Sequence, residues 1–281
     1  MAKLAENRYG KSRVRLARVK RGKDRHEVWE WTVEVLLSGD FEACFVEGDN
    51  RRILPTDTMK NSVYALARNS AAGSIESFGT ELASFLLERN PQVSLAEVGI
   101  VEALWEHLDV AGKSHPTAFV RPGRERRSAT VTEKRGSPPR VVSGLEDLAV
   151  LKTAGSAFEG FLQDTLTTLP ETKDRLFGTS LSARWTYDSP HLPFPELRTR
   201  IRETLLATFA GHQSQSVQHT LYAMGAEVLT SVAEVREIEL SMPNKHYLLV
   251  DLSRFGQDNP GEIFVPTDEP HGSIEARICR D

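Results

Sequence analysis

The sequence predicts an α+β fold in which one unit occurs twice, each copy with helices on one face of an antiparallel sheet. Alternating apolar residues indicate half-buried strands, and apolar residues three or four positions apart indicate amphipathic helices. Both halves of the 281-residue chain show the same order of two strands, two helices and two strands. The identity between the halves is poor, so the predicted duplication rests on element order.

The first half is predicted to begin and end with strands. Val28–Leu37 alternates apolar and polar residues, and the turn residues Gly39–Asp40 follow it. We expect Phe41–Val46 to return as the hairpin partner of this strand. Val98–Leu108 and His115–Val120 predict another strand pair at the end of this half.

Two helices are predicted between these strands. Their apolar stripes are Met59, Val63, Leu66 and Ala67, followed by Ile75, Phe78, Leu82, Phe85 and Leu86. Pro55 precedes Thr56 and Asp57, and either of these side chains can cap the amino terminus of the first helix. Asn90 and Pro91 are expected to end the second helix, because proline cannot continue it.

The second half repeats this order. Leu181–Tyr187 alternates as a strand. Two helical stripes follow, over Leu197, Ile201, Leu205 and Phe209 and then over Val217, Leu221, Met224 and Val228. Val232–Leu240 and His246–Leu252 predict two strands hinged on Ser241–Lys245.

The composition is that of an ordinary globular protein and argues against several function classes. The formal net charge of −4 provides no global basic field, so we expect no nucleic-acid partner. The basic stretch Arg121–Arg140 contains glycines and prolines and is interpreted as a solvated, mobile hairpin loop or linker. Cys44 and Cys279 have neither metal-ligand nor redox spacing, and no apolar run is long enough to span a membrane.

Two short polar segments in the first half, which we call polar islands, have both an ordinary and a functional interpretation. Arg8–Lys11 is expected to be a solvated basic arm, although strand-like residues follow it. Leu54–Asp57 is expected to be a helix start, but a hydroxyl at the positive end of a helix can also receive an anionic ligand.

Two further islands lie in the second half. Phe158 and Arg175 are either a core aromatic and a surface ion pair, or a stacking surface and a guanidinium for a flat anionic heterocycle. Ser241–Tyr247 has the residues of a hairpin turn. If it is extended, Asn244 and His246 face the same side, because residues two apart share a face of a strand. No glycine-rich phosphate loop, nucleophile elbow, metal-ligand set or nucleotide fingerprint accompanies these islands.

Taken together, the islands resemble motifs of the urate oxidase (uricase) family. The similar stretches are Arg8–Lys11 (RYGK), Thr56–Asn61 (TDTMKN), His115–Arg121 (HPTAFVR), Phe158–Leu162 (FEGFL), Asp174–Arg175, Ser216–Gln218 (SVQ) and Pro243–Tyr247 (PNKHY). One stretch alone is a weak signal, but the ordered set extends across nearly the whole chain and is specific.

The resemblance implies two tandem tunnelling-fold (T-fold) domains, over residues 1–136 and 137–281. Each would be an antiparallel four-stranded sheet with two helices on one face. Four chains would assemble into a tunnel-shaped homotetramer with active sites at subunit interfaces. This arrangement agrees with the duplicated unit predicted from element order, and the assembly covers the sheet edges that single units leave open.

The resemblance also implies a set of substrate-binding residues. Arg175 and Gln218 would grip urate, because a guanidinium presents paired donors and an amide presents both a donor and an acceptor. Phe158 would stack on the purine ring, and the backbone N–H of Val217 would donate a further hydrogen bond. Asp57 adjoins the implied dyad described next and would help to orient the site.

The implied catalytic residues are Lys11, Thr56 and His246. Lys11 and Thr56 match a dyad that arrives from the neighbouring subunit, with Lys11 as the base, and His246 would complete the proton relay. Thr56 would also contact the substrate, and Asn244 would hold dioxygen or water above the purine plane. An electron-rich urate anion can donate an electron to dioxygen without a metal or flavin, so the enzyme has to bind it, remove a proton and place dioxygen nearby.

The implied reaction is the cofactor-independent oxidation of urate by dioxygen to 5-hydroxyisourate and hydrogen peroxide, in purine degradation. The chain ends in Cys279, Arg280 and Asp281 rather than in the peroxisomal Ser-Lys-Leu, and it lacks a signal-peptide core. We therefore expect a bacterial-type cytoplasmic enzyme.

Two alternative functions remain open at this point. One is a T-fold cyclohydrolase or aldolase that acts on a pterin or purine. The sequence lacks the clustered Cys and His that a zinc cyclohydrolase needs. The other is a non-catalytic purine-binding homologue, which would lose the dyad, whereas this chain has both Lys11 and Thr56.

Overall fold

The computed structural model describes residues 2–280, which divide into two compact units. Unit 1 comprises Met1–Leu145 and Thr186–Glu196, and unit 2 comprises Glu146–Trp185 and Leu197–Asp281. Asp281, on which the expected lack of a peroxisomal terminus partly rests, lies outside the described residues. No helix within residues 2–280 is long and apolar enough to cross a membrane.

The sheet of unit 1 is antiparallel. Its order is β1 (Tyr9–Arg21), β2 (His26–Gly39), β3 (Val93–Ala103) and β6 (Arg126–Lys134). A separate two-stranded hairpin comes between β3 and β6 in the chain, formed by β4 (Glu106–Val110) and β5 (Lys113–Val120). The next strand, β7 (Arg140–Lys152), begins in unit 1 and continues into unit 2.

The helices of unit 1 are α1 (Glu42–Glu47), α2 (Thr56–Asn69) and α3 (Ile75–Arg89). α2 packs against β1, and α3 packs against β3 and β6. The core lies between these helices and the sheet, where Trp31 of β2 stacks on Phe78 of α3 with ring centroids 5.0 Å apart. Burying a large aromatic side chain of this kind contributes on the order of 2–3 kcal/mol, so this contact helps to fix α3 on the sheet.

Unit 2 is also built from an antiparallel sheet and helices. Its strands are β8 (Phe177–Tyr187), β9 (Val235–Ser241), β10 (Asn244–Leu249), β11 (Phe264–Gly272) and β12 (Glu275–Cys279), and its helices are α4 (Phe194–Gly211) and α5 (Val217–Ser231). The end of β8 and the start of α4 fall in unit 1. β9 and β10 both pair with β8, while β12 pairs with β9 and β11 pairs with β10. α5 packs against β9 and β12.

The same arginine contact is found at the end of the last helix of each unit, and we call it the arginine latch. Arg135 follows β6, and its guanidinium donates to three backbone carbonyls at the end of α3, those of Leu87, Asn90 and Val93. Arg280 follows β12 and donates to the corresponding carbonyls at the end of α5, those of Leu229, Val232 and Val235. This repeated geometry supports the predicted duplication where amino-acid identity does not.

The predicted fold class is confirmed, because both units combine antiparallel strands with helices. The four predicted helices correspond to α2, α3, α4 and α5, and α3 is followed by Asn90 as its C-cap. The prediction of a strand over Phe41–Val46 is wrong, because this segment forms α1. β1 and β3 already occupy both edges of β2, so no edge of β2 remains for a further partner.

Two predictions around the end of β3 are also wrong. Val98–Leu108 is not one strand, because β3 ends at Ala103 and β4 begins at Glu106, and it is β4 that pairs with His115–Val120. The basic stretch Arg121–Arg140 is not only a loop, because it contains all of β6. Ala129 and Val131 of β6 are buried. The sequence pattern did not reveal this apolar face because arginines flank it.

The two strands predicted near the end of the chain exist as β9 and β10, but they do not form one hairpin. β9 pairs with β12 and β10 pairs with β11. The expected turn at Ser241–Lys245 is not formed, and the Met242 backbone N–H donates instead to the carbonyl of Ile274 at 2.8 Å. β10 is therefore extended from Asn244 onwards.

Candidate active site

Lys11 lies on β1, so the prediction of a solvated basic arm at Arg8–Lys11 is wrong from Tyr9 onwards. The Tyr9 hydroxyl accepts a hydrogen bond from the Leu54 N–H at 2.8 Å and donates to the Leu54 carbonyl at 3.1 Å. These bonds tie β1 to the segment immediately before α2. Lys11 follows at a β-bulge, where the pairing with β2 changes register.

Thr56 and Asp57 form the first turn of α2. Pro55 occupies the N-cap position and makes no side-chain cap hydrogen bond, so the prediction that Thr56 or Asp57 caps this helix is wrong. Proline fits at a helix start because its fixed backbone angle and missing N–H cost little there. Both side chains are consequently available for other contacts, and the Asp57 carboxylate lies at the positive end of the helix dipole.

The Asp57 carboxylate is held by the next turn of α2. The Lys60 ammonium contacts one carboxylate oxygen, and the Asn61 amide donates to the other at 3.0 Å. The hydrogen bond from Lys60 is the main cause that lowers the pKa of Asp57, and the positive charge of Lys11 lowers it further. The charge of Lys11 therefore acts on Asp57, although no hydrogen bond or ion pair of the Lys11 side chain occurs within residues 2–280.

Phe158 and Arg175 of unit 2 are in direct contact. The guanidinium carbon of Arg175 lies 5.1 Å from the centroid of the Phe158 ring, which is a cation–π contact, and Phe161 stacks on the same ring at 4.8 Å. Arg175 is half-buried, and desolvation lowers the pKa of its guanidinium. No carboxylate of the described residues lies within ion-pair distance of it, so the surface ion pair considered for Arg175 is not formed.

Backbone hydrogen bonds fix the segments that carry this pair. The Phe158 N–H donates to the Thr172 carbonyl at 2.7 Å, and the Arg175 N–H donates to the Ser156 carbonyl at 2.8 Å. The Asp174 carboxylate accepts from the Ser156 N–H at 3.0 Å. Ser214, just before α5, forms a parallel bridge with Ser156. Backbone contacts therefore join three separate stretches of chain, which carry Phe158, Arg175 and Ser214.

The third of these stretches leads into Val217 and Gln218, the first two residues of α5. Ser216 is the N-cap, and its hydroxyl accepts from the His219 N–H at 3.1 Å. The N–H groups of Val217 and Gln218 lie in the first turn of the helix, where no intrahelical carbonyl is available to them. Val217 is buried and the Gln218 side chain is exposed, so a backbone donor and a side-chain amide adjoin at one helix end.

Two histidines lie beside this helix start. The rings of His212 and His219 are in edge contact, with centroids 4.3 Å apart, and a ring nitrogen of His212 lies 3.1 Å from the Thr220 hydroxyl. Burial lowers the pKa of His212, and the positive charges of His219 and Lys152 lower it further. The neutral form of His212 is therefore favoured in the folded protein.

Asn244 and His246 lie on the strand β10, so the segment that carries them is extended. Asn244 pairs with Gly272 and His246 with Thr267, so the register shifts between them. Because of this bulge, simple alternation does not relate their side chains as we expected. The His246 carbonyl accepts a hydrogen bond from the Thr267 hydroxyl at 3.3 Å, which fixes the backbone rather than the imidazole.

The site residues expected from the sequence thus fall into two groups. Lys11, Thr56 and Asp57 belong to unit 1, and the remaining six belong to unit 2. Sequence reasoning did not single out Tyr9, Lys60 or Asn61, although each lies inside a motif quoted above. A signal for Lys60 and Asn61 was present, because residues three and four positions after Asp57 share its helix face. Among residues 2–280, no three His, Cys, Asp or Glu side chains cluster as a metal site would require.

Comparison with known proteins identifies the family. The family model described as Uricase matches residues 7–132 and 141–275. The chain belongs to the uricase family. It is 42% identical over 278 residues to the uricase of Arthrobacter globiformis, covering 99% of this chain and 90% of that protein. It is 40% identical over 283 residues to the uricase of Dictyostelium discoideum, covering 100% and 98%.

Solved structures of the uricase family agree with this membership. The crystal structure of the uricase from Arthrobacter globiformis superimposes with a TM-score of 0.95 at 41% identity, covering 100% of this chain and 96% of that one. A uricase from Bacillus fastidious superimposes with a TM-score of 0.83 at 22% identity, covering 97% and 93%. At that identity the second similarity supports the fold alone.

Proposed function

We propose that this chain oxidises urate with dioxygen, without a cofactor, to 5-hydroxyisourate and hydrogen peroxide in purine degradation. The observation that carries the proposal is the family match over both halves of the chain, with relatives named uricase at 42% and 40% identity. Urate loses two electrons, dioxygen takes them with two protons to become hydrogen peroxide, and water supplies the hydroxyl group of 5-hydroxyisourate.

Arg175, Gln218, Phe158 and Val217 form the proposed urate-binding group. Support comes from the half-buried Arg175 guanidinium, which stacks on Phe158 and has no carboxylate partner among residues 2–280. A desolvated, unpaired cation favours an anionic ligand, because the ligand restores the interactions that burial removed. Gln218 and the Val217 N–H, at the positive end of α5, would supply the remaining donors.

Lys11, Thr56 and His246 form the proposed proton relay. Lys11 would take a proton from urate and pass it through the Thr56 hydroxyl and the His246 imidazole, since proton transfer by positioned side chains typically contributes about 10²–10⁴-fold in rate. Asp57 would orient the relay from its place beside Lys11. Asn244 would hold dioxygen or water over the ring plane.

We also propose that each active site combines residues from two chains of a homotetramer. Support comes from β1, the 13-residue edge strand of the unit 1 sheet that carries Lys11. A long open edge requires a partner or a cover. Leu248, Leu249 and Val265 on β10 and β11 are exposed apolar residues that an assembly would cover. We further propose that the boundary between the two domains lies between residues 136 and 137, and that the protein is cytoplasmic.

Turnover of chelator-treated protein tests the reaction. We expect urate absorbance to fall and peroxide to rise in air, without added metal or flavin. Lys11→Met and Thr56→Ala should each lose about 10²-fold or more of the turnover rate. Both variants should still bind urate in anaerobic titrations. No turnover by the unaltered chain, or full activity of either variant, would contradict the proposal.

Mixing two impaired variants tests the shared site. Lys11→Met chains and Arg175→Met chains are unfolded together and refolded, so that mixed tetramers form. If each site takes Lys11 from one chain and Arg175 from another, about a quarter of the sites in random mixtures regain both residues. Activity of the mixture no higher than that of the two separate variants would rule out the two-chain site.

A further inference from the structure

Lys60 is a charged residue beside the proposed site for which the proposed reaction has no role. Its ammonium contacts the Asp57 carboxylate one helical turn away, while Asn61 donates to the second carboxylate oxygen at 3.0 Å. Lys60 is the less exposed partner of the pair, with 33% of its side chain accessible against 66% for Asp57. The carboxylate is thus engaged from its own helix at both oxygens.

Lys11 is the other cation near this carboxylate. β1 is tied to the residues before α2 by the two hydrogen bonds between Tyr9 and Leu54, and β1 packs against α2. The positive charge of Lys11 acts on the Asp57 carboxylate of that helix. Lys11 is half-buried and, within the described residues, its amine has no hydrogen-bond or ion-pair partner. Without Lys60, the Asp57 carboxylate would be able to pair with the Lys11 ammonium instead.

We infer that Lys60 is a positioning residue, which occupies Asp57 and thereby leaves the Lys11 amine free to accept a proton. The inference rests on the proposed role of Lys11 as the base. A free carboxylate beside an amine stabilises its protonated form, because opposite charges within about 4–6 Å favour the charged states. A base held in an ion pair would be protonated over more of the pH range and would abstract protons less often.

Tyr64 and Glu34 are further titratable groups on α2 and β2, the elements beside these side chains. The Tyr64 phenol lies near Lys60, and it donates weakly to the Arg15 carbonyl at 3.4 Å. On β2, the residue paired with Lys11 is Val35, and the neighbouring Glu34 accepts a hydrogen bond from Ser12. Glu34 is therefore hydrogen-bonded within the strand pair, whereas Asp57 is engaged by Lys60 and Asn61 of its own helix.

The pH dependence of kcat/KM for urate tests this role. In Lys60→Met, we expect the acid limb to move to higher pH, with about tenfold lower kcat/KM on that limb and an unchanged alkaline plateau. Lys60→Arg retains the charge and should restore the original profile. Lys20→Met is the matched control, because Lys20 forms an exposed ion pair with Glu27 on the same sheet.

Competitive labelling of Lys11 with trace acetic anhydride, quantified by peptide mass spectrometry across pH, reads the same effect without turnover. Lys60→Met should reduce the labelling of Lys11 about tenfold at neutral pH, and Lys60→Met/Asp57→Asn should return it to the level of the unaltered chain. Unchanged labelling would overturn the role of Lys60. A uniform fall in kcat/KM with no shift of the profile would also overturn it.

This labelling readout separates failure of the inference from failure of the proposed function. If the unaltered chain does not oxidise urate but Lys60→Met lowers the labelling of Lys11, the proposed reaction is wrong. The effect of Lys60 on Lys11 through Asp57 is then still supported. If the chain oxidises urate and the labelling and the profile of Lys60→Met are both unchanged, the reaction stands and the role of Lys60 fails.

Discussion

Replacing Arg175 with methionine should weaken urate binding without weakening the fold. The guanidinium is half-buried, stacks on Phe158 at 5.1 Å and, among residues 2–280, has no carboxylate partner. In an ordinary buried ion pair, removing one partner strands the other charge and is strongly destabilising. Here no partner would be stranded, and methionine keeps an apolar side chain over the ring.

The two effects can be estimated from these contacts. Loss of the cation–π contact costs about 0.5–1 kcal/mol, and relief of the desolvated charge offsets it, so the free energy of unfolding should change by less than about 1 kcal/mol. Hydrogen bonds to a charged group contribute about 1.5–3 kcal/mol, so loss of the guanidinium should weaken urate binding about 10- to 150-fold.

Anaerobic calorimetric titration with urate measures binding in the absence of turnover, and urea unfolding measures stability. Arg184→Met is the matched control, because Arg184 is an exposed arginine on β8 of the same unit. It should change neither quantity. Arg175→Lys tests the fork geometry and should recover only part of the affinity, since an ammonium cannot donate in parallel pairs.

Two results would refute the reasoning about Arg175. Affinity within about twofold of the unaltered chain would show that the guanidinium does not bind urate, because even one charged hydrogen bond exceeds that difference. A loss of several kcal/mol in unfolding free energy would show that Arg175 is a structural cation with a partner that the contacts above do not reveal.

The remaining predictions concern stability. Gly10→Ala places a methyl group against a β2 carbonyl and should cost about 1–3 kcal/mol in thermal unfolding, and an unchanged melting temperature would contradict this close approach. Arg135→Met removes one arginine latch and should cost about 2–4 kcal/mol in urea unfolding, whereas the exposed Arg124→Met should cost nothing measurable. The pKa of His212 is lowered on folding, so the unfolded chain takes up its proton first and stability should fall as pH decreases below about 6.5. His212→Gln should make that decline shallower, and equal slopes for both proteins would disprove the assignment.

The elements predicted correctly are those whose residues carry their own periodicity. Trp29–Val35 alternates strictly, and the stripes of α2 to α5 repeat every three or four residues. β6 was missed because arginines surround its short alternation of buried residues. Strand pairing was missed more often than strand existence, because partners such as β9 and β12 are distant in sequence and no local pattern specifies them.

The candidate site residues were named from ordered motifs and not from physical patterns. Residue patterns alone favoured a solvated arm for Arg8–Lys11, because the Tyr9 bonds to Leu54 that place it are contacts 45 residues apart. For the same reason, residue patterns could not decide whether Phe158 and Arg175 are in contact. That contact depends on backbone bridges to Thr172 and Ser214. Long-range contacts of this kind follow from the complete fold.

The arginine latch also has a consequence for the order of folding events. Arg135 bonds to Leu87 across 48 residues, and Arg280 bonds to Leu229 across 51. Neither contact can form until the last strand of its half has paired, so we expect each latch to close late in folding. Contacts that form so late mainly slow unfolding and hardly affect the rate of folding. The two latches would therefore act on the lifetime of the native state, one in each half of the chain.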